Sequence, residues 1–121
     1  MAIPVLQCTN LDESLVFYTG ALGADVLWRN PEDGDPGYAA VKWRDHELHL
    51  SSHRGDGVAG TAVFFRVDDV DELFRELGER GWTPPEGASP VEAAPVDQTW
   101  GIRELYVRDP DRNCLRFGTE S

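Results

Sequence analysis

Residues 3–23, IPVLQCTNLDESLVFYTGALG, and residues 61–81, TAVFFRVDDVDELFRELGERG, follow one pattern, and that repetition decides the fold. Each opens on a short apolar run, IPVLQCT at 3–9 and TAVFFRV at 61–67, that reads as a strand. A helix start follows each run. Asn10 and Glu13 supply a capping pair for the first helix, and Leu11, Leu15, Tyr18 and Leu22 recur along it at helical spacing. Asp69 and Glu72 take the capping roles in the second, whose apolar face is Val70, Leu73, Phe74 and Leu77. Gly23 and Gly81 supply the stops.

Outward from these units the sequence turns to β patterns. In the first half ADVLWR (24–29), YAAVKW (38–43) and ELHLS (47–51) read as strands, the last two joined into a hairpin by Arg44–Asp45. The acidic stretch NPEDGDPG, 30–37, separates the first two. In the second half IRELYVR (102–108) and CLRFG (114–118) flank DPDRN, which is strong turn chemistry. Between Trp82 and Gln98 four prolines, Pro84, Pro85, Pro90 and Pro95, interrupt any long element, and one short strand is expected near 91–96.

Each half therefore reads β-α-β-β-β. The prediction is a single α+β domain over residues 1–121, built of two βαβββ modules at about 1–58 and 59–121 that form curled mixed sheets. A module of that size is marginal alone, so the halves are expected to share buried surface. The helices cover one side of each sheet, and the other side is left as a concave ligand crevice.

Composition narrows the function classes. The chain is 40 % hydrophobic and 27 % charged, which excludes a disordered or fibrous protein. Asp plus Glu number 22 against 11 Lys plus Arg, a formal net charge of −11, which argues against nucleic acid as a partner. No apolar run reaches the length of a bilayer span, and the first ten residues lack the pattern of a signal peptide, so a cytoplasmic protein with no membrane partner is expected. Cys8 and Cys114 sit among apolar neighbours, away from any C-x-x-C pair, and read as buried small hydrophobes.

Residues 100–117, WGIRELYVRDPDRNCLRF, together with the paired units, resemble the vicinal oxygen chelate superfamily over nearly the whole chain. That superfamily includes the glyoxalases, the extradiol dioxygenases and the bleomycin-resistance proteins. The C-terminal stretch is similar to the bleomycin-resistance branch, where Trp-Gly precedes a strand, a D-P-x-x-N turn and a closing strand. Arg112 stands where that turn usually has glycine, so a side chain must adopt a strained backbone conformation there. The resemblance implies four metal-ligand positions in the superfamily's enzymes, carried here onto Ile3, His49, Ala62 and Arg116. One imidazole does not make a site for a divalent ion, so no metal and no cofactor are expected. His46 and His49, an H-x-x-H pair on β structure, fall on opposite faces of their strand.

The resemblance also sets which strand faces are open: Ile3, Val5 and Gln7; Glu47, His49 and Ser51; Ala62, Phe64 and Arg66; Cys114 and Arg116. Leu6, Leu48, Leu50, Val63, Phe65, Val67, Leu105, Val107, Leu115 and Phe117 fall toward the helices, and their apolar character supports that phase independently. Period-2 alternation puts Glu104 and Tyr106 on one face, with Glu47 and Glu104 expected to pair with arginines such as Arg103 and Arg116. Of four tryptophans, Trp82 reads as packing and Trp43 as core or rim, whereas Trp28 and Trp100 are candidates for ligand contact. Glu32, Asp33 and Asp35 read either as a mouth over the crevice or as solvated charge.

The candidate ligand-binding set is Trp28, Tyr38, Glu47, His49, Phe64, Trp100, Glu104 and Arg116, with no catalytic group assigned. The favoured function is sequestration of a small, aromatic, cationic compound of the bleomycin type, hence antibiotic resistance. Arg66 and Arg116 oppose a cationic ligand unless Glu47 and Glu104 neutralise them. The alternative is a glyoxalase-like metal-dependent enzyme: a lyase, isomerase, dioxygenase or thiol transferase. A homodimer is expected, because the edges of a curled sheet need pairing and the resembling proteins close them with a second chain.

Overall fold

A computed structural model describes residues 1–120 of the chain. The order is β1 (Val5–Gln7), α1 (Leu11–Gly20), β2 (Asp25–Asn30), β3 (Tyr38–Trp43), β4 (His46–Ser51), β5 (Ala62–Arg66), α2 (Val70–Glu79), α3 (Pro90–Ala93), β6 (Val96–Asp97), β7 (Ile102–Arg108) and β8 (Cys114–Glu120). Two compact units result, one of residues 1–61 with 109–113 and one of residues 62–108 with 114–120. Each carries its own four-stranded sheet, ordered β1-β4-β3-β2 and β5-β8-β7-β6. In each sheet the first and last strands of the unit pair in parallel and the remaining pairs are antiparallel. The class is α+β, as the repeat predicts.

In the first unit the Asn10 side chain accepts the Glu13 N–H at 3.0 Å, which starts α1. The helix ends at Gly20, earlier than the Gly23 stop, and Gly23 provides the positive φ (78°) that leads into β2. Leu11 and Tyr18 are fully buried, as are Leu48 and Leu50 of β4, while Leu15 is half-buried. The acidic loop has a structural duty. Asp35 accepts the Leu11 N–H at 3.0 Å across 24 residues, and its carboxyl lies below the usual value because the Ser52 hydroxyl and that N–H favour the anion. Arg29 donates to Pro31 O (3.0 Å), to Gly34 O (3.1 Å) and to Asp12, which binds the loop to α1. Asp35 is therefore a helix-start ligand rather than part of a mouth.

The turn 109–113 gives this unit its most connected polar cluster. Asp109, 5 % exposed, accepts from Tyr18 Oη (2.9 Å), Asn113 Nδ2 (2.9 Å) and the backbone N–H groups of Asp111 and Asn113. Asn113 Nδ2 also donates to Gln7 O at 3.0 Å, and its Oδ1 accepts from Gly60 N and Thr61 N. Asp111 accepts from Thr9 N and Thr9 Oγ1. Arg112 holds φ 67°, the left-handed conformation expected where glycine is usual. Cys8 is buried here and desolvation pushes its thiol up to about 11, so it stays protonated.

In the second unit the Asp69 side chain accepts the Glu72 N–H at 3.0 Å and α2 runs to Glu79, followed by Gly81 at φ 92°. Leu73, Leu77, Leu105, Leu115 and Phe117 are buried, with Phe65 stacked on Phe117 at 5.2 Å. Phe74 meets Trp82 edge-on at 6.4 Å, the packing role expected of that tryptophan. The region before β7 departs from expectation. A helical turn, α3, occupies 90–93 with Pro90 in its first turn, and the strand is confined to Val96–Asp97. Proline lacks an N–H and its fixed φ suits a helix start, so the residue that argued against structure here begins a helix. Among the described residues no helix is long and apolar enough to cross a membrane.

Candidate functional site

The sequence-derived candidates fall into two groups, one on each sheet. On the first, the register sets His49 of β4 between Val5 of β1 and Ala40 of β3, and Ala40 pairs in turn with Trp28 of β2. Ala40 is small and fully buried, which leaves the space above it to larger neighbours. Trp28 and Tyr38 stack there, ring centroids 5.6 Å apart and planes within 9°. The His49 ring meets both edge-on, at 5.5 and 5.3 Å. Tyr38 Oη lies 2.7 Å from His49 Nδ1, and His49 Nε2 lies 2.7 Å from Glu47 Oε2. Trp28, Tyr38, His49 and Glu47 thus form one assembly, and Trp28 remains 47 % exposed.

His46 goes the other way, as the H-x-x-H spacing predicts, and stacks on Trp43 at 5.8 Å. Trp43 is 4 % exposed and so belongs to the core, with the Arg44 guanidinium 4.6 Å from its ring centre. Ser51, expected on the open face, is buried and donates to Asp56 at 2.6 Å.

On the second sheet Phe64 of β5, Arg116 of β8 and Tyr106 of β7 lie in one cross-strand row. The Arg116 guanidinium sits 4.7 Å over the Tyr106 ring. Phe64 is 44 % exposed, and its ring covers Gly118, where an added Cβ would come within 2.6 Å of it. Trp100 donates its indole N–H to Glu104 at 2.8 Å and keeps 60 % of its surface exposed. Glu104 is only 3 % exposed and is also a hydrogen-bond partner of the Tyr106 hydroxyl, whose pKa rises through burial and then through that carboxylate.

Several expected pairings are replaced. Glu104 bonds to Trp100 and Tyr106, while Arg103 pairs with Asp71 at 2.9 Å and Asp97 at 3.3 Å. Arg66 pairs with Glu120, and Glu47 with His49. Glu47 and Glu104 therefore do not neutralise the arginines of the open face. Glu120 neutralises Arg66 in their place, and the Arg116 guanidinium lies against the Tyr106 ring, which leaves one cation there among the described residues, within a chain of net charge −11. Cys114, placed on that face by phase, is buried. Tyr106 shares the face of Glu104 in the sequence, yet its part in the cluster is visible only once Arg116 is seen over its ring.

The four positions that carry metal ligands in the superfamily's enzymes do not fit a metal here. Ile3 and Ala62 offer no donor, both ring nitrogens of His49 are engaged, and Arg116 is cationic. Among the described residues no three His, Cys, Asp or Glu side chains gather into a metal-holding group.

Paired β-α-β-β-β units, each presenting fixed aromatic rings on an open sheet face, define a small α+β protein with the surfaces of a ligand binder. Residues 2–117 match the Glyoxalase/Bleomycin resistance protein/Dioxygenase superfamily, and the chain belongs to it. Among its relatives, a bleomycin resistance protein of Klebsiella pneumoniae is 29 % identical, over 96 % of this chain and 89 % of the relative. One from Geobacillus stearothermophilus is 26 % identical over 96 % and 93 %. The chain is also similar to the crystal structure of a bleomycin-binding protein complexed with bleomycin, with TM-score 0.78 and 25 % identity over 100 % and 98 % of the two chains. A bleomycin-binding protein from Streptomyces verticillus complexed with copper(II)-bleomycin gives 0.74 and 27 % over 99 % and 94 %.

Proposed function

We propose that this protein binds and sequesters a planar aromatic, cationic compound of the bleomycin type. The observation that carries this reading is the way its exposed aromatic rings are held. Trp28 is fixed by stacking on Tyr38, and Trp100 by its N–H bond to Glu104, while each keeps about half or more of its surface free. Rings immobilised in advance lose little entropy when a flat ligand stacks on them. The relatives named for bleomycin resistance, and the solved bleomycin complexes, support the same ligand class. Sequestration needs affinity alone, which suits a chain whose metal-ligand positions hold Ile3, Ala62 and Arg116. In this reading it acts in the cytoplasm, and Trp28, Tyr38, Glu47, His49, Phe64, Trp100, Glu104 and Arg116 contact the ligand. Titration of bleomycin followed by tryptophan fluorescence tests it. Quenching that saturates, and weakens as salt rises because an acidic protein's pull on a cation is screened, is the expected result. No quenching, with binding of a carboxylate or phosphate compound instead, overturns the cationic assignment.

Two further outcomes follow from this reading. Purified, dialysed protein should carry no stoichiometric zinc, nickel, iron or manganese by elemental analysis. Retained metal that disappears in a His49→Ala variant would restore the enzyme alternative. The protein should also be a homodimer whose ligand crevices use strands of both chains. Val26, Leu27 and Trp28 are each 45–47 % exposed in succession on the edge strand β2, an apolar edge that calls for a cover. Each partner carries a net charge of −11, so moderate salt favours association. Light scattering at micromolar concentration should give twice the chain mass, and a monomeric mass refutes the dimer.

A further inference from the structure

The chain Glu47–His49–Tyr38 links the positions of its hydrogens. A carboxylate only accepts, so the 2.7 Å contact with Glu47 assigns a hydrogen to His49 Nε2. In the neutral imidazole, a hydrogen on Nε2 leaves His49 Nδ1 with a lone pair, which takes the Tyr38 hydroxyl hydrogen across the other 2.7 Å contact. Burial, and then the Asp56 carboxylate, raise the Tyr38 pKa, so the phenol keeps the proton it donates. Its hydroxyl hydrogen is thus committed inward, and only oxygen lone pairs remain for a visitor. Tyr38 is half-buried beside the exposed Trp28 ring, where a stacked flat group would bring its substituents close.

We infer that Tyr38 acts as an obligate hydrogen-bond acceptor that selects aromatic ligands bearing an ammonium or N–H donor, with Glu47 and His49 as the residues that set its polarity. This deepens the binding reading above and rests on it. An aromatic carboxylate or phenolate finds no donor at this oxygen, whereas an amine finds an acceptor next to a stacking ring. Removing the hydroxyl while keeping the ring takes away that acceptor, together with the bond to His49 Nδ1, and a hydrogen bond to a charged ligand group is worth about tenfold in affinity.

The test uses two probes on the whole protein, 1-naphthylmethylammonium and 1-naphthoate, titrated against wild type and Tyr38→Phe. The expected result is a drop of roughly tenfold for the ammonium probe in Tyr38→Phe, with naphthoate affinity changed by less than twofold. In parallel, the imidazole 15N spectrum of the wild-type protein should show the hydrogen of His49 on Nε2 and a lone pair on Nδ1, a readout that needs no variant to fold. Unchanged ammonium binding in Tyr38→Phe, no ammonium binding at all, or a hydrogen on Nδ1, whether alone or beside one on Nε2, overturns the inference. Bleomycin titrated beside the probes separates the two claims. If bleomycin fails while Tyr38→Phe still loses the ammonium probe, the bleomycin reading falls and the acceptor role stands. The reverse pattern sinks the acceptor role alone.

Discussion

Replacing Asp109 with alanine should lower the folding stability by about 3–5 kcal/mol, a large share of what holds a domain of this size together. The carboxylate takes four hydrogen bonds, from Tyr18 Oη, Asn113 Nδ2 and two backbone N–H groups, in a place only 5 % exposed. Truncation strands those donors, each costing about 1–3 kcal/mol where water does not reach it, and partial relaxation keeps the total below the sum. It also removes the bond between this turn and Tyr18 of α1. Urea denaturation followed by circular dichroism measures the loss, and a change below about 1 kcal/mol would show that the cluster is dispensable.

The same residue gives a pH signature. Burial raises the Asp109 pKa, against the Asn113 and Tyr18 hydrogen bonds, which lower it. A carboxyl whose folded value exceeds its unfolded value binds its proton more tightly when folded. Its contribution is full below the ordinary value of 3.8 and is lost as pH rises through the raised folded value. Between those limits the wild type should lose stability from this group with rising pH, and Asp109→Asn should lack that component. Parallel stability–pH curves for the two proteins would contradict the assignment.

The second large effect concerns binding. Trp28→Ala combined with Trp100→Ala should weaken bleomycin binding by roughly five- to a hundredfold, taking about 0.5–1.5 kcal/mol of stacking per ring. The two losses should add, because Trp28 is held by Tyr38 and Trp100 by Glu104, with no partner in common. Both rings are about half exposed or more, so their removal should leave the thermal midpoint within a few degrees. Competition against a fluorescent bleomycin derivative measures the change. Affinity within twofold of wild type would remove both rings from the site.

What the sequence made legible was mostly local. Asn10 and Asp69 bond three residues onward, so their capping roles can be read from spacing alone. The alternation of Leu48 and Leu50 with Glu47 and His49 placed the latter two on one face, where they meet at 2.7 Å. Roles set by distant partners stayed hidden. Asp35 and Asp109 look like any loop carboxylates until the fold brings Leu11 and Tyr18 to them from 24 and 91 residues away. Charge alone matches Glu104 to arginines, yet its carboxylate takes an indole N–H four residues back. Pattern reports which face a side chain takes, while the partner on that face depends on rotamers and on loops such as the one bearing Trp100.

The most direct test of sequestration is calorimetric titration of bleomycin into the purified protein, with the ligand recovered afterwards and weighed by mass spectrometry. Sequestration requires saturable binding at one bleomycin per chain, weakened by added salt, and a recovered ligand of unchanged mass. A ligand returned with altered mass, or turnover beyond one equivalent per chain, would contradict it and make the protein an enzyme.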